Sequence, residues 1–252
     1  MTEGTFLNDT SPTSRRKFLA GSAAALAGGA LLAVPGVAKA HNPPDPPTDI
    51  DILNYALTLE HLEAVFYIQG LAKFGNGTFR RYFNNNRRYR RQGIERLEGE
   101  EVRSEFAAIR EHEKTHVKTL QSVIRDLGGK PVPESTYNFN ETAFTSLGKF
   151  LAVARLLENT GVKAYDGAIA HIEAAPLLTA GATIATVEAR HASYLNLING
   201  YQPFPSAFDK PAAPRQICNT VDAAFIKRSP EPYGPYRDLD ALCNRLPNKP
   251  TP

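Results

Sequence analysis

Two short stretches of the chain share one spacing, Glu113-Lys114-Thr115-His116 and Glu188-Ala189-Arg190-His191. On a helix, residues three apart lie on adjacent turns of one face, so a carboxylate and an imidazole spaced in this way can point at one metal ion. One such pair is weak evidence, because sixteen glutamates and six histidines in 252 residues give roughly 0.4 of them by chance. Two are more telling, since each falls on the inner stripe of an amphipathic segment. Two further segments carry an inner glutamate, Glu60 and Glu158, so the order along the chain is Glu, Glu-x-x-His, Glu, Glu-x-x-His. An ionised carboxylate on an apolar face is costly unless it is paired or bound to a cation. Glu60, Glu113, His116, Glu158, Glu188 and His191 therefore form a candidate site for two metal ions. Oxygen-rich ligands with two imidazoles and no thiolate suit iron or manganese better than zinc or copper.

Four helices are needed to carry this layer. Residues 52–71 are rich in helix formers and free of proline, with Asp49 or Asp51 available as a cap. Over 95–127, Val102, Phe106, Ile109, Glu113, His116, Leu120, Val123 and Leu127 recur in steps of three and four, and Gly128-Gly129 before Pro131 closes the segment. After a turn-rich connection a third helix is expected over 141–170, with Phe144, Leu147, Leu151, Ala154, Glu158, Gly161 and Tyr165 in register. A fourth is expected over 176–199, opening on Pro176 and placing Ile184, Glu188, His191, Leu195 and Ile198 on one stripe. No segment alternates with period two between hairpin turns, so a sheet is not expected. The fold class is all-α, a four-helix bundle over 51–200 with a long crossover connection. Residues 73–94 form a basic insertion after the first helix, in which Arg80, Arg81, Arg87, Arg88, Arg90 and Arg91 surround Asn84-Asn85-Asn86. It reads as a long solvated loop with room for a short helix, and a charge run of this kind implies no nucleic-acid partner by itself. Residues 201–252 read as an irregular, proline-rich tail.

An internal repeat ties the halves together. Leu59-Glu60 is followed by Tyr67, and Leu157-Glu158 by Tyr165, each tyrosine seven residues after its glutamate. Seven residues is two turns, so each phenol shares a face with its glutamate and is a candidate to hydrogen-bond a carboxylate across the core. Glu63 also faces inward and competes with Glu60 for the ligand role, but the repeat puts Gly161 at its counterpart, which favours Glu60. His112 points about a quarter-turn from the motif and reads as a surface or interface residue, as do His61 and His171. Glycines at 161 and 167 hint at room for an oxidant to reach the site.

The first forty residues read as an export signal. Ser14-Arg15-Arg16-Lys17-Phe18-Leu19 is a twin-arginine region, the apolar run over 19–34 is too short for a stop-transfer helix, and Ala38-Lys39-Ala40 is a cleavage site. Cleavage after Ala40 leaves a leader over 41–50 and implies export by the bacterial twin-arginine machinery to the periplasm or beyond. The formal net charge of +3 falls to +1 without residues 1–40, which argues for no particular partner. No second apolar stretch reaches membrane-spanning length, so no stable membrane anchor is expected. In an exported protein, Cys218 and Cys243 are candidates for a disulfide.

The pattern of Glu60, Tyr67, Glu113, His116, Glu158, Tyr165, Glu188 and His191 resembles the ferritin-like superfamily, and within it bacterioferritin and rubrerythrin. The runs from Asp49 to Glu63 and from Val187 to His191, with Pro203-Phe204-Pro205-Ser206-Ala207-Phe208-Asp209, are similar to exported ferritin-like proteins often labelled desiccation-related. The resemblance implies two bound iron or manganese ions. It leaves open a di-metal oxidoreductase acting on dioxygen or peroxide (ferroxidase, peroxidase or catalase-like) and a non-catalytic, stress-protective envelope protein. The insertion and tail speak against a storage cage, while a simpler homo-oligomer stays open.

Overall fold

A computed structural model describes residues 47–84 and 97–250; the expected signal segment, most of the leader and Arg87, Arg88, Arg90 and Arg91 lie outside them. The bundle is built from α1 (Asp49–Lys73), α3 (Gly99–Asp126), α5 (Leu147–Ala168) and α6 (Ala175–Ile198). Helices α1 and α3 pack as one pair and α5 and α6 as the other. Between α1 and α3 the basic insertion opens with a helix, α2 (Asn76–Asn84), because Phe79 and Phe83 bury one face of it.

The start of α1 differs from expectation in its cap. Thr48 is the N-cap: its hydroxyl accepts from the Asp51 amide, and the Asp51 carboxylate accepts from the Thr48 amide at 2.8 Å, a reciprocal capping box. Asp49 instead accepts from the amides of Glu173 and Ala174 at 2.8 and 3.1 Å, satisfying the start of α6. The third bundle helix begins later than its periodicity suggests. A short helix, α4 (Phe139–Thr142), comes first, and Ser146 then starts α5 by accepting from the Lys149 amide at 3.1 Å.

Helix α1 is buried on every face from Asp51 to Tyr67, which an outer bundle helix would not be. Its cover comes from the tail, which is not irregular: α7 (Pro214–Phe225) and α8 (Leu239–Arg245) form there, the latter capped by Asp238 on the Ala241 amide. Arg245 meets Asp51 through two bonds, Nε to Oδ1 at 2.9 Å and Nη2 to Oδ2 at 2.8 Å. Tyr236 donates to Asp51 Oδ1 at 2.8 Å, and Tyr233 to the Thr58 hydroxyl at 3.1 Å. Cys218 and Cys243 form a disulfide with Cα atoms 5.6 Å apart, tying α7 to α8. A small β-pair, β1 (Thr136–Tyr137) with β2 (Ile226–Arg228), stitches the crossover to the tail and is too short to alter the all-α class.

The core has two different ends. On one side of the glutamate layer Phe66 stacks on Phe150 at 4.9 Å, and Phe106, Phe139, Phe144 and Tyr67 close around them. On the other side the packing is aliphatic, with Ile52, Leu53, Leu120 and Ile184.

Candidate metal centre

Each bundle helix brings one glutamate to a common layer, and Glu60, Glu113, Glu158 and Glu188 are all 0% exposed. Because no water reaches them, their charge must be met from within the protein or by a bound cation. His116 Nδ1 lies 3.2 Å from Glu60 Oε2, 3.1 Å from Glu113 Oε2 and 3.3 Å from Glu188 Oε1. His191 Nδ1 lies 3.1 Å from both Glu113 Oε1 and Glu158 Oε2, and 4.0 Å from Glu188 Oε1. Two four-residue groups result, Glu60, Glu113, His116 and Glu188 in one and Glu113, Glu158, Glu188 and His191 in the other. Glu113 and Glu188 belong to both.

The repeat braces this layer crosswise. Tyr67 of α1 donates to Glu158 Oε1 of α5, and Tyr165 of α5 donates to Glu60 Oε1 of α1, each at 2.5 Å. One oxygen of each carboxylate is thereby held, and the other faces a histidine nitrogen.

The electrostatics show what the arrangement lacks. Among the described residues, the ion-pair partners of these four carboxylates are the two imidazoles alone. Burial, reinforced by neighbouring carboxylates, raises the Glu113 and Glu188 carboxyls well above the ordinary range. Burial also pushes Glu158 up to about 7, against the hydrogen bond from Tyr67. For Glu60, burial acts upward but the bonds and charge of His116 outweigh it, and the net shift is downward. Burial likewise opposes a charge on His116, yet Glu113, Glu188 and Glu60 overcome it and push the imidazolium up to about 12. His191 goes the other way, lowered by its burial. A single protonated ring, His116, thus stands where several carboxylates converge.

Bound metal ions fit these residues better than protons do. One N–H cannot serve three oxygens, and Glu113 Oε1 and both oxygens of Glu188 accept no well-formed hydrogen bond, although two of the three lie within ion-pair reach of an imidazole. Donor atoms bound at about 2.1 Å and right angles to one ion stand about 3 Å apart, close to the spacings found. The donor set is oxygen-dominated with two nitrogens, which suits iron or manganese.

Glu63 faces inward as its register predicts, while His61, His112 and Gly167 differ from their sequence reading. Glu63 is a fifth buried carboxylate beside the layer, its pKa raised well above normal by burial and by Glu188, Glu158 and Glu60. It occupies room left by Gly161, where a Cβ would come within 3.1 Å of Glu188 Oε2 and 3.5 Å of Glu63 Oε1. His61 is not at the surface: it is 5% exposed, with burial lowering its pKa. His112 keeps an exposed edge, but its Nδ1 lies 3.0 Å from His191 Nε2 and the two rings meet edge to edge, within 9° of parallel. The residue one place before Glu113 on α3 faces α6, and single-helix geometry carries no signal of a partner 79 residues away. Gly167 provides no room for an oxidant, because a Cβ there would strike the Ala212 carbonyl of the tail.

Fold and layer together define the class, an all-α bundle whose core gathers carboxylate and histidine groups able to hold metal ions. Residues 48–200, 153 of the 252, match the family model of the ferritin-like domain, and the chain belongs to that family. A comparison with curated proteins gives no match.

Proposed function

We propose that this layer is a dinuclear iron or manganese centre in an exported oxidoreductase that reacts with dioxygen or peroxide under oxidative or drying stress. Glu113 and Glu188, common to both groups, would serve both ions, Glu60 and His116 would hold one of them, and Glu158 and His191 the other. The observation that carries this reading is that the same two glutamates belong to both clusters of potential ligands.

When bound, the metals supply the electrons that reduce the oxidant. The chain's own residues do the rest. Burial holds the Tyr67 and Tyr165 phenols well above their ordinary pKa, so both stay protonated and keep donating to Glu158 and Glu60. With a metal ion on Nδ1 of His191, the ring's proton would sit on Nε2 and be donated to His112 Nδ1, 3.0 Å away, which would fix the ring in its ligating orientation. Twin-arginine export of a folded chain would let the metals be inserted before transport. The disulfide suits an oxidising compartment, and among the described residues no helix is long and apolar enough to cross a membrane.

The second reading is a non-catalytic, metal-stabilised envelope protein. The tail that covers α1 and its disulfide favour it, because both are devices of durability. Elemental mass spectrometry of the purified protein beside a His116→Ala/His191→Ala variant tests the centre. About two ions per chain, lost in the variant, are expected for a dinuclear site; a metal-free wild type would remove the centre and with it the catalytic reading.

A further inference from the structure

An apolar pocket of about 50 Å³ lies directly beneath the carboxylate layer, on the aliphatic side. Its floor is set by register. Ala56 is four residues before Glu60, Leu120 four after His116 and Ile184 four before Glu188, so each stands one turn, about 6 Å along its helix, from a candidate ligand. Tyr165 completes the floor with its ring, while its hydroxyl bonds Glu60 of the centre. The mouth lies between α3 and α6, where Thr119 is exposed and Gly181 half-buried.

The lining decides what can reside there. Among the described residues, no charged side chain lines the pocket, and the polar side chains there are Thr119 at the rim and Tyr165, whose hydroxyl is already bonded to Glu60. Water or hydrogen peroxide entering it would give up hydrogen bonds without replacement, whereas a small apolar molecule would not. The volume admits a molecule of a few atoms and is well below the roughly 150 Å³ of a cavity that takes benzene, so alkyl chains and rings are excluded. The opposite side of the layer offers no such room, since Tyr67 is 0% exposed and sealed by Phe66, Phe106 and Phe150.

We propose that this pocket is a binding site for molecular dioxygen, holding it one helical turn from the Glu60 side of the centre. The proposal rests on the oxidant-reactive reading above and goes beyond it by choosing dioxygen over peroxide and naming its place of entry.

Xenon, apolar and similar in size, is the probe, because it can be applied with or without metals. Crystals under xenon pressure should show an atom among Ala56, Leu120, Tyr165 and Ile184, and Gly181→Leu should abolish it. Gly181 is suited to the test because a Cβ there would meet only Ile169, at 3.8 Å, in ordinary contact. In iron(II)-loaded protein the same variant should slow oxidation by dioxygen at least about tenfold, as a blocked access route does, and leave oxidation by hydrogen peroxide unchanged. If Gly181→Leu fails to fold, Gly181→Ala carries both measurements with a smaller reduction of each. Absence of xenon from the pocket overturns the proposal, as does equal slowing with both oxidants or with neither. A wild type that takes xenon but binds no metal would instead overturn the reading of the centre, so the two failures are separable.

Discussion

Tyr67 and Tyr165 make the same contact in opposite surroundings, and the contrast runs through the whole bundle. Tyr67 stands in a close-packed aromatic end that its own rings hold shut, while Tyr165 borders an aliphatic end with a cavity. The tail ties down the aliphatic end by hydrogen bonds, from Arg245 and Tyr236 to Asp51 and from Tyr233 to Thr58, and meets the aromatic end by packing, with Phe225 6.2 Å from Phe139. The repeat is therefore symmetric where ligand geometry demands it and asymmetric elsewhere. Glu63 stands opposite Gly161, and His112 has Val187 as its counterpart before the second Glu-x-x-His. Two ions, as proposed, would need matched donors, but a route to them from only one side.

The largest expected effect concerns the layer that separates the two ends. Without metal, Glu113, Glu188 and Glu63 have raised pKa values, Glu158 lies at about 7 and His116 at about 12, against ordinary values of 4.5 for glutamate and 6.5 for histidine. A raised folded-state pKa gives stability that is complete below the unfolded value and is lost as pH rises through the folded one. Glu60 and His191, both lowered, act in the opposite sense, losing stability as pH falls below about 4.5 and 6.5. The raised groups outnumber them, so the Tm of metal-free protein should fall from pH 5.5 to pH 8. Metal displaces those protons, and its affinity rises with pH. The gap in Tm between manganese-loaded and metal-free protein should widen over the same interval; a constant gap would show that the carboxylates do not bind the ions.

Truncating the aromatic end comes next. Phe150 is fully buried and touches Phe66, Phe74, Phe106 and Phe144, so Phe150→Ala should cost about 4 kcal/mol in urea denaturation. Metal content should stay at the wild-type level, because the ring meets the layer at Tyr67, whose bond to Glu158 the substitution leaves in place. Loss of metal equal to that of the double histidine variant would mean that the two ends and the layer form one inseparable unit. At the other end, Cys218→Ser/Cys243→Ser opens a loop of 25 residues, worth about 3.5 kcal/mol on chain entropy. Amide exchange should then quicken in the first two turns of α1 more than in its last two. Uniform acceleration would deny the tail its local bracing role.

What could be read from the sequence was local in origin. The Glu-x-x-His spacing, the seven-residue step to tyrosine and the glycine opposite Glu63 are properties of single helices, and each residue lies where its register puts it. Failures came where a partner is distant in sequence. Asp49 looked like a cap for its own helix and serves α6 instead, 124 residues on. Short tail helices hid behind prolines, although Pro214 in the first turn of α7 and Asp238 before α8 are start signals. Complete burial of α1 could not be foreseen without the tail folded over it. Gly167, read as space, is a close approach to Ala212.

The smallest effect tests the asymmetry at the histidines themselves. His191 has its outer nitrogen held by His112, whereas Val187, the corresponding residue on α6, offers His116 no such acceptor. Losing an outer partner of a metal-binding histidine weakens the ion by about 10- to 100-fold. Because His112 is exposed, water can take its place in part, and His112→Ala should fall near the lower bound. Calorimetric titration with manganese should then resolve one site weakened about tenfold and one unchanged. His112→Gln, whose side-chain oxygen can accept the same proton, should restore most of the loss. Equal weakening of both sites would show that His112 acts on the layer as a whole and not through His191; unchanged sites would leave the histidine pair without a role in ion binding.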